Sequence, residues 1–333
     1  MGYVEVVGVF VTNSVVVFLA KAIMKYFLIL CLSMIWPSTS NAANWNNNSN
    51  NLGPTRDGYV NNISPHKHSF ALVSQPEPVR YGETSERYEL RDGDCGGTDC
   101  SNPRYRSEIS LEKNKVQARF NEDIWYGWSF YNKNMLNVSP AWNNQLVFGQ
   151  WKMGGDNPPI FKFKQIGSGS GNWRGCNPKI CDKFIPLSTT NPKSFDVFVQ
   201  MDDMKEKYDW GRRENWGLVC RLFNLQDNLK KWVDIVVNTN FSTKDDGYLR
   251  IWINGEERCH YRGQLVTIKS KKYYSGPSHR RGIYGSYTVK WDTARPDKKK
   301  PTYIAYYDEF RIGKSREEVD IRIIENKGGE AVD

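Results

Sequence analysis

Trp232-Val233-Asp234-Ile235-Val236-Val237-Asn238, then Asp246-Gly247, then Tyr248-Leu249-Arg250-Ile251-Trp252-Ile253-Asn254-Gly255, is the stretch that decides the fold. Both runs are rich in β-branched and aromatic residues and alternate with the two-residue period of a strand. Asp246-Gly247 separates them, and Asn254-Gly255 favours a tight type I′ turn, because both central positions of that turn need positive φ. The stretch therefore predicts a hairpin. Outward from it, short apolar or alternating runs recur between turn residues at 70–73, 87–91, 104–111, 124–131, 146–153, 160–165, 195–201, 216–222, 282–289 and 303–312. With hardly any sustained 3.6-residue period, this spacing predicts an all-β sandwich or jelly roll in a single domain spanning 66–326.

The 333 residues suffice for one large sandwich, and 12 Trp suit a thick core or a sugar-stacking cleft. The formal charge of +9 biases the chain toward polyanionic partners. Met24-Lys25, an apolar run over 27–36 and Ser40-Asn41-Ala42 have the layout of a secretory signal, with cleavage expected near Ala42 or Ala43. Residues 1–42 are accordingly read as a signal peptide with an upstream extension, and no stable membrane insertion is expected after cleavage. The rival is a single uncleaved anchor over 4–36. Residues 43–65, asparagine-rich, read as a flexible leader, and 327–333 as a frayed tail. Ser315-Arg316-Glu317-Glu318 has capping-box spacing and predicts one helical turn. Lys298-Lys299-Lys300-Pro301 reads as a solvated hairpin tip, since no nucleic-acid module surrounds it.

Once Cys31 leaves with the signal, six cysteines remain, an even number that fits an oxidising compartment and a secreted or periplasmic protein. The short gaps make Cys95 with Cys100 and Cys176 with Cys181 natural loop staples, leaving Cys220 with Cys259 as a long-range bridge. Zinc is a weak rival without a CxxC or a nearby histidine pair. Asp92, Asp94 and Asp99 could ligate calcium, but their spacing is not that of an EF-hand, and a disulfide-closed turn explains them better. No metal and no other cofactor is expected.

Three strands carry groups that could do chemistry. Arg104, Arg106 and Glu108 share one face of a strand, which is costly unless that face lines a wet groove gripping an anion; a solvated edge strand is the plainer reading. Gln150 and Lys152 end the apolar strand of Leu146 and Phe148 and are expected on the same face as those two. Arg280, Gly282, Tyr284 and Ser286 share a third face, where glycine leaves room for a ligand and the phenol of Tyr284 can give or take a proton. Acting as a base near neutrality requires cations that favour phenolate, and Arg106, Arg280 and Lys152 are the candidates. His66, His68, His260 and His279 are reserve bases, with His279 read as exposed at a strand start.

Arg91-Asp92-Gly93-Asp94-Cys95 with Asp99-Cys100, Arg104 to Glu108, Trp125-Tyr126-Gly127-Trp128-Ser129, Gly149-Gln150-Trp151-Lys152, Gly282-Ile283-Tyr284 and Tyr307-Asp308-Glu309-Phe310-Arg311-Ile312-Gly313 occur in that order over roughly 68–320. The ordered set resembles the heparin lyase I and glucuronan lyase superfamily of polysaccharide lyases. The resemblance implies a β-jelly roll of two antiparallel sheets with a concave substrate groove, and β-elimination on a uronic-acid polymer. It implies Tyr284 as catalytic acid/base, Gln150 as the group neutralising the uronate carboxylate, Arg106 and Arg280 as basic groove residues and His68 as a uronate contact; beside these, the chemistry adds Arg106 and Lys152 as groups that could help neutralise the carboxylate, and Arg104, Glu108, Arg280 and His279 are expected to bind substrate. One departure stands out: these enzymes often read Gln-x-His, where this chain has Gln150-Trp151-Lys152. The expected partner is an anionic polysaccharide acted on by a monomer, and the rivals are a lectin-like binding protein on the same fold or a glycoside hydrolase. The latter would need two groove carboxylates at hydrolytic separation, and no paired-acid strand motif is seen.

Overall fold

The computed structural model describes residues 46–47, 54–55, 59–60, 66–96, 98–101, 104–111, 118–135, 145–153, 158–165, 184–185, 195–201, 220–267, 276–286, 296–297 and 299–333. The expected signal peptide, most of the leader, and Cys176 and Cys181 lie outside them. In chain order the strands are β1 (Asn46–Asn47), β2 (Pro54–Thr55), β3 (Tyr59–Val60), β4 (Phe70–Val73), β5 (Ser85–Leu90), β6 (Tyr105–Leu111), β7 (Ile124–Asn132), β8 (Gln145–Lys152), β9 (Pro159–Gln165), β10 (Phe184–Ile185), β11 (Asp196–Met201), β12 (Arg221–Asn224), β13 (Trp232–Thr239), β14 (Tyr248–Ile253), β15 (Glu256–Arg262), β16 (Ser278–Ser286) and β17 (Tyr303–Gly313). They build an eight-stranded sheet in the order β10-β15-β14-β13-β7-β17-β5-β4 and a seven-stranded sheet in the order β12-β11-β9-β8-β16-β6-β3. Paired strands are antiparallel throughout, as a jelly roll requires.

Alternation explains the packing. In β16, His279, Arg281 and Ile283 point between the sheets, and Arg280 and Tyr284 point away from them. The shared core is aromatic: Trp151 lies 4.3 Å from Phe161 and 5.3 Å from Tyr126 between ring centroids. Among the described residues, an ion pair crosses this core, Arg281 on the seven-stranded sheet with Glu86 on the eight-stranded one, each 1% exposed. The Arg281 guanidinium also lies 4.4 Å over Phe310, and Tyr88 donates to Glu86 at 2.9 Å. A buried pair of this kind survives desolvation only with such supporting bonds. Cys220 and Cys259 are disulfide-bonded, joining the segment just before β12 to β15 on the other sheet, and Cys95 is bonded to Cys100.

The hairpin of β13 and β14 forms as predicted, with Val237 opposite Ile251. Asn254 and Gly255 have φ of 49° and 86°, the left-handed pair of a type I′ turn, but the turn leads onward into β15, a strand absent from the sequence reading. Four expectations need correction. The tail is not frayed: Asp333 accepts from the backbone N–H of Glu83 and Thr84 at 2.7 and 2.8 Å, and Val332 donates to Glu309 at 2.9 Å. Folding does not wait for His66, because Tyr59 and Val60 pair with Leu111 and Ser110. The helix near the end is Ile321–Asn326, capped by Asp320, not by Ser315. Lys300 is not solvated but buried, with its ammonium 3.2 Å from Asp92 and over the Tyr105 ring. Among the described residues, no helix is long and apolar enough to cross a membrane.

Candidate active site

The face of the seven-stranded sheet turned away from the core collects the predicted residues. Register places Tyr284 opposite Arg106, Gly282 opposite Glu108 and Arg280 opposite Ser110. On its other side Arg280 faces Gln150, which faces Lys162, which faces Gln200. A polar row thus crosses five strands, from Ser110 through Arg280, Gln150 and Lys162 to Gln200. Lys162, Lys164 and Gln200 were missed in the sequence reading; the alternation of Lys162 and Lys164 with Phe161 and Phe163 is the pattern that marks them.

Two irregularities aim these groups. β8 carries an extra residue between Val147 and Gly149 relative to β9, and β16 an extra one between Arg281 and Tyr284 relative to β8. The first corrects the expectation that Gln150 shares a face with Leu146 and Phe148: those two belong to the core, and the bulge turns Gln150 outward. The second sits at Gly282, with φ of 128°, where a Cβ would come within 2.2 Å of the Ser107 carbonyl oxygen, so only glycine lets β16 lie this close to β6. The Tyr307 hydroxyl reaches across from the other sheet to both bulges, 2.6 Å from the Phe148 carbonyl and 2.8 Å from that of Gly282.

Glu108 is the hub. It is 2% exposed, accepting from Gln150 Nε2 at 2.6 Å and from Arg106 Nη1 at 3.1 Å, with Arg280 Nη1 at 3.9 Å. Arg106 also donates through Nε and Nη2 to the two oxygens of Asp99, and its Cζ lies 4.1 Å from the Tyr284 ring centroid. Burial pulls the Arg106 pKa down, but Glu108, Asp99 and Tyr284 together outweigh it and hold the guanidinium charged. Arg280 stands differently. Burial lowers its pKa, Glu108 opposes this only in part, and its Nε has no hydrogen-bond partner among the described residues.

The Tyr284 phenol is pushed above its usual value by burial, with Arg106 and Arg104 pulling it down and Glu108 and Asp99 adding to the rise. This reverses the expectation that neighbouring cations favour phenolate, because desolvation is the larger effect. Lys152 faces the same side one row past Gln150, with its ammonium 3.3 Å from the Met153 carbonyl. His68 lies at the margin, its Nε2 2.8 Å from Asp94, whose own carbonyl accepts the Arg106 N–H. His279 is a correction. It is 2% exposed inside the core, stacked 4.8 Å from Phe310, because β16 starts at Ser278 and sends residue 279 inward. His260 belongs to the eight-stranded sheet, beside Arg250 and Arg262 in a cavity of about 450 Å³. The carboxylates considered for calcium diverge: Asp92 pairs with Lys300, Asp94 with His68 and Asp99 with Arg106.

A phenol, a counter-ion-poor arginine and an amide on one face form a set able to hold an anionic group and move a proton beside it. Comparison with known proteins gives the family and the fold. A polysaccharide lyase family model matches residues 44–311. The solved endo-β-1,4-glucuronan lyase from the fungus Trichoderma reesei aligns at 15% identity over 80% of this chain and 98% of its own, with a TM-score of 0.50. Alginate lyase A1-II' aligns at 10% identity over 75% and 85%, TM-score 0.44, and an alginate lyase from Pseudomonas aeruginosa at 14% over 69% and 83%, TM-score 0.39. No curated protein matches in sequence.

Proposed function

Because the chain belongs to the polysaccharide lyase family, we propose that it cleaves a uronic-acid polymer by β-elimination on the outward face of the seven-stranded sheet, with Tyr284 as acid and base. The observation that carries this reading is the Tyr284 ring lying under the Arg106 guanidinium, in strands that also bring Arg280 and Gln150 side by side. In this reaction the C5 proton of the uronate leaves to a base, its electrons form the C4–C5 double bond, the C4–O4 bond breaks, and the departing O4 takes a proton. Removing the C5 proton requires the neighbouring carboxylate to be neutralised. Arg280 is suited to that, since a bound carboxylate would complete a compensation that Glu108, at 3.9 Å, gives only in part, while Gln150 can donate alongside it. Tyr284 in its phenolate form takes the C5 proton and returns it to O4 on the same side of the sugar. The phenol is protonated at rest, so the base form is a minority species near neutrality.

Export is part of the proposal. The Cys95–Cys100 and Cys220–Cys259 bonds suit an oxidising compartment, in line with residues 1–42 acting as a cleaved signal. N-terminal sequencing of the protein recovered outside the cell should begin at Ala43 or next to it.

The test is an incubation with glucuronan, alginate, heparin and hyaluronan, followed by ultraviolet absorbance of the unsaturated uronate. We expect absorbance to grow with one of them and to fall roughly a thousandfold in rate for Tyr284→Phe, in the range general acid–base groups contribute. Full activity in that variant rejects the assignment of Tyr284.

A further inference from the structure

We infer that Asp99 is a positioning residue, holding the Arg106 guanidinium over Tyr284 from within a segment closed by the Cys95–Cys100 disulfide. The inference deepens the reading above and rests on it. Asp99 is 7% exposed and accepts from Arg106 Nε and Nη2 with its two oxygens, the side-on fork of a bidentate carboxylate–arginine pair. Glu108 takes Nη1. Arg106 is therefore fixed along two of its edges, with its Cζ 4.1 Å from the centroid of the phenol ring. Held on one side only, a guanidinium can swing about its last torsions; held on two, it cannot.

The loop itself is organised around this contact. Cys95 and Cys100 bracket Asp99, with their Cα atoms 5.1 Å apart. The Arg106 N–H donates to the Asp94 carbonyl at 2.9 Å, and the Arg104 N–H to the Asp99 carbonyl at 3.1 Å. Backbone and side chain of the loop thus grip the start of β6 at residues 104 and 106. From sequence, a disulfide-closed turn explains this segment better than a calcium site, with no role for Asp99 toward Arg106. Its geometry gives it one, since any shift of Asp99 displaces the group that packs on Tyr284.

The experiment is a double-mutant cycle on the full folded protein with Asp99→Asn, Arg106→Ala and the pair, plus Cys95→Ser/Cys100→Ser and Tyr284→Phe. Kinetics use whichever of the four polymers yields absorbance, and the Arg106 Nε–H resonance is followed by NMR without substrate. Asp99→Asn should lower kcat about tenfold with KM changed less than about twofold, the cost of a misplaced catalytic group. The double variant should be no worse than Arg106→Ala, because the two residues act as one unit. The Nε–H proton, slow to exchange in the parent, should exchange rapidly in Asp99→Asn and measurably faster in the cysteine variant. Additive losses, an unchanged kcat in Asp99→Asn beside an impaired Arg106→Ala, or an Nε–H that stays protected would each overturn the inference and leave the functional reading standing. Full activity of Tyr284→Phe, or no product from any polymer, rejects the functional reading instead, and the NMR arm still decides whether Asp99 fixes Arg106.

Discussion

Arg106 and Arg280 sit on adjacent strands and carry opposite electrostatic loads. Arg106 has two carboxylates and a pKa held above the ordinary arginine value; Arg280 has one at 3.9 Å and a pKa that burial pulls below it. A partly buried cation without full compensation is costly, and an incoming anion relieves that cost. Arg280→Gln should therefore lower kcat/KM about a hundredfold on a uronate polymer, comparable to losing one charge-stabilising donor. It should not lower the thermal midpoint, since the charge removed is undercompensated. Steady-state kinetics and calorimetry on one preparation read both; an unchanged kcat/KM would move carboxylate binding elsewhere. Tyr284 gives a second outcome at this scale. Arg106, Arg104, Glu108 and Asp99 are the charges acting on it, and burial leaves its pKa above the usual phenol value. A rate carried by phenolate rises with pH below that pKa. From pH 7 to 9, kcat/KM should climb about tenfold per unit. A plateau reached near pH 7 would assign the base to a histidine.

At the scale of elements, what sequence could and could not show divides at the bulges. The strand carrying Arg106 and Glu108 is regular, so a two-residue period placed its charges correctly on one face, with Ile109 in the core. The strand carrying Gln150 is not, and the same period put Leu146 and Phe148 beside Gln150 when one extra residue separates them by a face. An inserted residue leaves no periodic trace, because its neighbours remain as apolar as before. His279 went astray for a related reason: β16 begins four residues before Gly282, and nothing in Ser278-His279-Arg280-Arg281 is apolar enough to announce a strand. β15 was hidden likewise, with only Cys259 and Tyr261 fully inside. The Tyr307 motif was visible in the sequence but its task was not, since both its partners are backbone carbonyls far along the chain. Its hydroxyl proton serves the two carbonyls that shape the bulges beneath Gln150 and Tyr284. Tyr307→Phe keeps the ring and removes that donor. We expect kcat to drop about tenfold as the bulges relax, with a stability loss of about 1–3 kcal/mol for the carbonyls left short of a partner. Denaturant unfolding and kcat on the same variant test this, and wild-type kcat would show that the bulges hold without it.

For the whole molecule, the question is how a sheet bearing so many charges stays locked to its partner. Among the described residues, the Arg281–Glu86 pair, the Tyr307 hydroxyl and the Cys220–Cys259 disulfide are ties that cross the sandwich. The first two lie directly beneath the groove, where register and side-chain direction matter. The disulfide lies toward the far edge, on the β12 side, and closes a sequence separation of 39. Its contribution is mainly to the unfolded chain, whose freedom it restricts by about 4 kcal/mol for a loop of that length. The Cys220→Ala/Cys259→Ala variant should then melt roughly 6–10 °C lower, yet turn over substrate at 25 °C within about twofold of the parent, because β11 and β9 stand between β12 and the strands of the proposed site, β8, β16 and β6. Scanning calorimetry and the absorbance assay separate these effects. An unchanged melting temperature would mean that this bridge does not constrain the chain, and a lost rate at 25 °C with an intact fold would mean that the edge of the sheet communicates with the groove.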